Sequence, residues 1–599
     1  MRGLPLYTTI TLSLFTLSKS SIVYTNDGAI EGKLHQYNDI EYLSYRGIPY
    51  AEPPIGDLRF MPPLPKKSWT GTLDGTKQKA VCPQAESSYY KTDQMNEDCL
   101  FLNIYVPLLQ TDEELLPVMF FVIGGEFNAL SGYDDVMFGP QLILEQNIIV
   151  VTFNHSDIPC PISGIQIAHS ADDTVMYMRV RELKIIYPLL QRAIDEQGQW
   201  FLLWRIERSL RKVHLLIIRK PRNILTQIRL MPSQPRLGAL GFMSLNIPEA
   251  SGNAGLKDAI LALKWVNKNI QCFGGDAEKI TLGGNSAGAA LTHYLMLSES
   301  TSGLFQRAFL NSGSALGYRF LARHPVENAI ALAKEIGIES NNKTQVLLHL
   351  KEADAFTIVE AQSTLGKGNK RNGFRTFAPF VPSIEIESTN AVLTDEPINI
   401  IKSGIPQNVP TLTGFNAKEG MKMLPAILRN VSLIEELNGD FKLCVPSDLE
   451  YPSDSEELNN LAQSIKEFYF NAENISKSNI GEFVNMITDT QFYHSTDYWI
   501  KLHKAHKESN TLYYYKFDYD GSLNWFKLTN QIDLTGPAHA DELGYMFVTR
   551  MTAPLLQNAT DTDNRVMQNF LSLWTNFIKY GYVCKYYIFN KRLKNSTRH

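Results

Sequence analysis

Two short stretches of the chain are apolar at nearly every position: PVMFFVIGG (117–125) and NIIVVTF (147–153). Runs this short with no polar face predict strands covered on both sides. A different period governs GLKDAILALKWVNKNI (255–270), where Leu256, Ile260, Leu263 and Val266 recur at helical spacing. KITLGG (279–284) predicts another strand, and the residues from Ala289 to Leu297 predict a helix directly after it. VPTLTGFNAKEG (409–420) and TLYYYKFDYD (511–520) add further strands. Strands alternating with helices predict an α/β fold, with a mostly parallel central sheet and helices on both faces. No internal repeat interrupts the pattern, and no interdomain linker stands out.

Composition adds little until it is read locally. The chain is 44% hydrophobic with a formal net charge of −5, ordinary for a globular protein and no indication of a nucleic-acid partner. Residues 156–235 differ, carrying 12 Lys and Arg against 7 Asp and Glu. The N-terminus, MRGLPLYTTITLSLFTLSKSS, has one early charge, Arg2, and then an uncharged, largely apolar stretch to Leu17. This predicts a secretory signal peptide over residues 1–20. It is short and Thr/Ser-rich for a membrane span, and no later apolar run is long enough, so no stable membrane insertion is expected. An oxidising compartment makes Cys82 and Cys99 candidates for a disulfide. Sequons at Asn342, Asn430, Asn474 and Asn558 are candidate glycosylation sites, with further matches at Asn154 and Asn595.

The candidate chemistry lies at one corner. Gly284-Asn285-Ser286-Ala287-Gly288 fits G-x-S-x-G between a predicted strand and a predicted helix. In that context the serine sits on a sharp turn that lifts its hydroxyl above the sheet edge. The flanking glycines are expected because a Cβ there would collide with a neighbouring strand or helix. The following helix N-terminus would supply N–H groups and partial positive charge to a developing oxyanion.

Four ordered segments, YRGIPYAEPPIGDLRF (45–60), NEDCLFLNIYVP (96–107), residues 252–290 and LFQRAFLNSGSA (304–315), together resemble the type-B carboxylesterase and cholinesterase family, most closely in the wording of insect secreted esterases. The resemblance implies the α/β-hydrolase fold and pairs Cys82 with Cys99. A serine hydroxyl needs a base within hydrogen-bond reach and an acid to orient that base. The family's acid motif resembles TGFNAKEGMKML (413–424) and implies Glu419; its base motif resembles GPAHADELGYMF (536–547) and implies His539. Neither a metal nor a cofactor is implied, and the substrate implied is a small lipophilic ester.

The sequence departs from that family in four places. Asn285 stands where many members carry an acidic residue, which removes a nearby charge without altering the nucleophile. The oxyanion loop reads Ile123-Gly124-Gly125-Glu126-Phe127, and its matching donors are the backbone N–H groups of Gly125, Glu126 and Ala287. A Glu126 carboxylate would repel a forming oxyanion, and its side chain would restrict backbone angles open to glycine. A second reading therefore remains, a non-catalytic member of the fold like the cholinesterase-like adhesion proteins, which an organophosphonate probe would fail to label. The resemblance covers 21–155 and 236–581 as one domain and leaves out 156–235. Within that stretch IAHSADDTVMYMR (167–179) and LLQRAIDEQGQWFLLWRIE (189–207) resemble the palm of a non-LTR retroelement reverse transcriptase, with Asp172 and Asp173 matching its paired aspartates. Eighty residues are too few for a polymerase scaffold, so a foreign insert is the expectation. Residues 582–599 read as a tail outside the family pattern.

Overall fold

A computed structural model describes residues 21–84, 91–108, 114–124, 138–153, 165–169, 174–178, 213–215, 236, 238–368, 379–430, 432–506 and 510–583. The predicted signal peptide, the residues Gly125 and Glu126, and most of 156–235 and 582–599 lie outside them.

Nine strands form the central sheet: β1 (Lys33–Tyr37), β2 (Ile40–Pro49), β3 (Phe101–Pro107), β4 (Leu116–Val122), β5 (Ile149–Phe153), β6 (Gly275–Asn285), β7 (Arg307–Asn311), β8 (Thr411–Asn416) and β9 (Leu512–Phe517). Their spatial order is β9-β8-β7-β6-β4-β5-β3-β2-β1. Neighbours from β5 through β4 to β9 run parallel, while β3, β2 and β1 add antiparallel strands at one edge.

The two apolar runs do become strands buried on both faces. In β4, Val118, Phe120 and Val122 pack into one core cluster, whereas Met119 and Phe121 pack into another. In β5 the split is Ile149, Val151 and Phe153 against Val150. The first cluster is closed by helix α1 (Ala254–Asn269), whose Leu256, Ile260, Leu263 and Val266 are all buried, and by α2 (Ala287–Met296). The second is closed by α3 (Asp561–Tyr580) through Met567, Phe570, Leu571, Trp574, Phe577 and Ile578. Two-sided cover explains why these strands show no alternation of polar and apolar residues.

The guanidinium of Arg236 is buried in an ion pair with Asp258 on α1, Nη2 to Oδ1 at 2.8 Å. Its Nη1 donates to the backbone oxygens of Met61 and Leu58.

Pro159–Leu230 forms a separate compact unit. Its described part is a small sheet in which Ile165–His169 pairs antiparallel with Thr174–Met178, which pairs parallel with Val213–Leu215. Asp172 and Asp173 lie outside the described residues.

Candidate active site

Strand β6 ends at Asn285 and α2 begins at Ala287, so Ser286 occupies the corner itself, with φ 58° and ψ −123°. The helix therefore starts two residues earlier than the apolar pattern predicts. A residue with side chain in that backbone region is strained, and the surroundings must hold it there. They do so with backbone. A Cβ on Gly284 would lie 2.4 Å from Val122 O, and one on Gly288 would lie 2.2 Å from the same oxygen. From the other side, a Cβ on Gly313 would lie 2.1 Å from Ser286 O. The Ser286 N–H donates to Asn311 O at 2.8 Å. Ala287 is the first residue of α2, where an N–H has no carbonyl of its own helix to bond. Gly124 leads into the oxyanion loop against this corner, since a Cβ there would lie 2.7 Å from Asn285 O.

Opposite the serine stand the two side chains taken from the family motifs. Glu419 follows the end of β8 in a short 3₁₀ turn and is fully buried. One of its oxygens, Oε1, accepts the Asn416 N–H at 2.7 Å. The other, Oε2, lies 2.5 Å from His539 Nδ1, and His539 Nε2 lies 2.9 Å from Ser286 Oγ. An ionised carboxylate can only accept, so Nδ1 carries the proton and the Nε2 lone pair faces the hydroxyl. All three groups are buried, Ser286 at 4% and His539 at 7% exposure.

His539 sits on a turn rather than a strand, and polar groups hold the turn. The Lys418 N–H donates to Pro537 O at 3.0 Å, tying the Glu419 loop to the His539 loop. Asp541 accepts the N–H groups of Ala538 (2.5 Å), Phe526 (2.7 Å) and Lys527 (3.0 Å). The ring of Phe492 lies 4.9 Å from the imidazole. Phe492 belongs to a π-helical turn, Asp489–Tyr493, a local irregularity that often accompanies functional positions. The Arg319 guanidinium and the Lys422 ammonium lie 5.5 Å and 5.7 Å from the Phe492 ring centre. Burial lowers the imidazole's pKa against the pull of Glu419, and Lys422 and Arg319 lower it further.

One acid in this network was not singled out by the sequence. Glu542 is fully buried; its Oε1 accepts Asn285 Nδ2 at 3.0 Å, and its Oε2 accepts Asn416 Nδ2. Burial, with Glu419 beside it, pushes the Glu542 carboxyl up to about 8. Burial likewise pushes Asp541 up to about 7 despite its backbone donors. Both residues stand inside the quoted base motif. The available signal was two acids within three residues of a histidine, in a segment otherwise apolar enough to be buried.

Of the other expected positions, Cys82 and Cys99 form a disulfide. Asn342, Asn430, Asn474 and Asn558 are all exposed. Asn342 also caps a helix, its Oδ1 accepting the N–H groups of Thr344 and Gln345.

Comparison with known proteins bears on the family and the fold. The model of the carboxylesterase family matches residues 19–155 and 230–594, leaving out 156–229 and running on through most of the stretch read above as a tail. Juvenile hormone esterase of Heliothis virescens is 27% identical over 576 residues, covering 94% of this chain and 86% of the relative. Venom carboxylesterase-6 of Apis mellifera is 27% identical over 551 residues, covering 91% and 82%. The crystal structure of juvenile hormone esterase from Manduca sexta, with OTFP covalently attached, superposes with a TM-score of 0.72 at 25% identity, covering 95% of this chain and 91% of that one. With a nine-stranded sheet packed on both faces and a serine at its strand–helix corner, this chain has the α/β-hydrolase fold and belongs to the carboxylesterase family.

Proposed function

We propose that this protein is a secreted serine esterase that cleaves small lipophilic carboxylic esters through an acyl-enzyme, using Ser286, His539 and Glu419. The observation that carries the reading is the unbroken contact chain from Ser286 Oγ through both imidazole nitrogens to the Glu419 carboxylate. His539 Nε2 takes the hydroxyl proton as Oγ attacks the ester carbonyl, and Glu419 stabilises the imidazolium. The Ala287 N–H, at the head of α2, faces the negative charge that develops on the carbonyl oxygen. Gly125 and Glu126 are the further donors expected from the sequence. Collapse expels the alcohol, which takes its proton from His539. Water then attacks the acyl-enzyme with the same imidazole as base.

Changing Ser286 to Ala tests this directly. Turnover of a chromogenic ester is expected to fall by about 10⁴-fold or more with an unchanged melting temperature. Retained turnover would remove Ser286 from the mechanism, whereas failure of an organophosphonate to label the wild-type serine would favour a non-catalytic member of the fold.

Secretion is supported by the N-terminal segment, by the Cys82–Cys99 disulfide and by exposure of the four sequons. A glycan on Asn342 would occupy Nδ2 and leave the capping Oδ1 free to bond. No helix among the described residues is long and apolar enough to cross a membrane. Secretion is checked by cleavage of residues 1–20 from protein recovered in the medium.

We also infer that 156–235 is an insert in the hydrolase sequence. The gap in the family match and the separate unit Pro159–Leu230 support this. Asp172 and Asp173 lie in sequence between the paired strands Ile165–His169 and Thr174–Met178, and their match to a reverse transcriptase motif is the basis for a retroelement origin. Deleting 156–235 is expected to leave ester hydrolysis in place; an inactive, unfolded product would count against the inference.

A further inference from the structure

Glu542 is tied to residues beside the members of the proposed triad. Its Oε1 meets the side chain of Asn285, the residue before the nucleophile. Its Oε2 meets the side chain of Asn416, whose backbone N–H holds Glu419. Glu542 itself lies three residues beyond His539 in the turn that follows the base. Among the described residues, no basic side chain pairs with it. The titratable groups facing it are Glu419, the neighbouring Asp541 and the buried phenol of Tyr515 on β9.

A buried acid without a cation partner is easier to hold neutral, and a neutral acid must donate its proton to something. Asn416 cannot receive it. Its Nδ2 is also committed to Ala538 O at 2.7 Å, so turning the amide would set two carbonyl oxygens against each other. Asn285 is bound differently: among the described residues its side chain has the single hydrogen bond at 3.0 Å to Glu542. Turning that amide exchanges a donor for an acceptor at the same place. An acidic residue at 285 could not offer both faces; it would share one proton with Glu542 and carry a charge in doing so.

We propose that Glu542 is a positioning residue whose bond to Asn285 reverses direction with its protonation: the carboxylate accepts from the Asn285 amide, and the neutral acid donates to the Asn285 carbonyl. This rests on the triad reading given above. The only bond made or broken is the O–H of Glu542, its proton exchanging with solvent. The neutral state leaves Glu419 without a second negative charge beside it. The charged state sets a carboxylate behind the serine, where it opposes the developing oxyanion. The push of burial and of Glu419 agrees in direction, holding the neutral form into the range near 8.

The experiment is the pH profile of kcat/KM for a neutral chromogenic ester in the full-length protein. Wild type is expected to fall above about pH 8, by about tenfold per unit where a single ionisation controls the rate. Glu542→Gln copies the neutral acid, accepting from Asn416 and donating to a turned Asn285, and cannot ionise; its profile is expected to lose that fall. Asn285→Asp is the second variant, needed if Glu542→Gln does not fold. It fixes a charge at the pair already at pH 7, so its rate at pH 7 should lie below that of wild type, with no further step near 8. A fall at the same pH in Glu542→Gln, or an unchanged wild-type profile in Asn285→Asp, overturns the proposal. If Ser286→Ala remains active, the triad reading has failed; if it is inactive and the profiles do not move, only the role of Glu542 has failed.

Discussion

The proposed nucleophile and the proposed base reach the same point by opposite means. Ser286 is fixed by backbone, with Val122 O pressing on Gly284 and Gly288 and Ser286 O pressing on Gly313. His539 is fixed by side chains, with Asp541 binding the turn from within and Phe492 covering the ring. A corner of close-packed backbone has one geometry or none. A turn held by polar side chains has several partial supports, each of which can be removed or titrated.

That difference sets the order of expected effects. Gly288→Ala should be the most damaging, because its Cβ meets main chain that cannot move aside at 2.2 Å. A loss of about 3 kcal/mol or more is expected, with little folded, active protein in a thermal melt and esterase assay. Normal stability and activity in that variant would break the contrast. Asp541→Ala should come next. It strips one carboxylate from three backbone N–H groups, at about 1–3 kcal/mol for a buried donor left unpaired. The turn should loosen rather than collapse, lowering kcat by about 10²-fold through misplacement of the imidazole. Phe492→Ala should be milder and should show itself in pH rather than in stability. Burial favours the neutral imidazole, so in wild type the base form persists to lower pH, and the rising limb of kcat/KM should lie below the ordinary histidine value of 6.5. Removing the ring readmits water, and the limb should climb toward that value by about half a unit to one unit. A limb that does not move would mean that Phe492 is only a wall.

The same contrast governs how much of the site could be read from the sequence. Gly284, Ser286 and Gly288 stand within five residues, and their spacing already states that small residues must surround one hydroxyl. The structure supplies the reason, a carbonyl oxygen from β4 too close for any side chain. Glu419 and His539 lie 133 and 253 residues from the serine, and no local pattern marks them. They were legible only through resemblance, since an isolated Glu or His after a strand usually faces water. Glu542 and Asn416 were within the same quoted segments and still went unread, because what makes them matter is whom they touch. Asn285 was read as the removal of a charge. The fold adds that this side chain donates to Glu542, so the substitution also supplies a hydrogen-bond partner.

What the sequence by itself determined are the features whose cause is local in the chain. They are the strands apolar on both faces, the amphipathic helix over 255–270, the serine corner and the break in pattern over 156–235. Tertiary structure alone decided which polar groups share one buried space. The meeting of Ser286, His539 and Glu419, and the strap of Asn285, Glu542 and Asn416 behind them, depend on bringing β6, β8 and the turn after β9 together. Distance along the chain carries no record of that meeting, whereas burial makes each hydrogen bond within it consequential, because water cannot replace a missing partner.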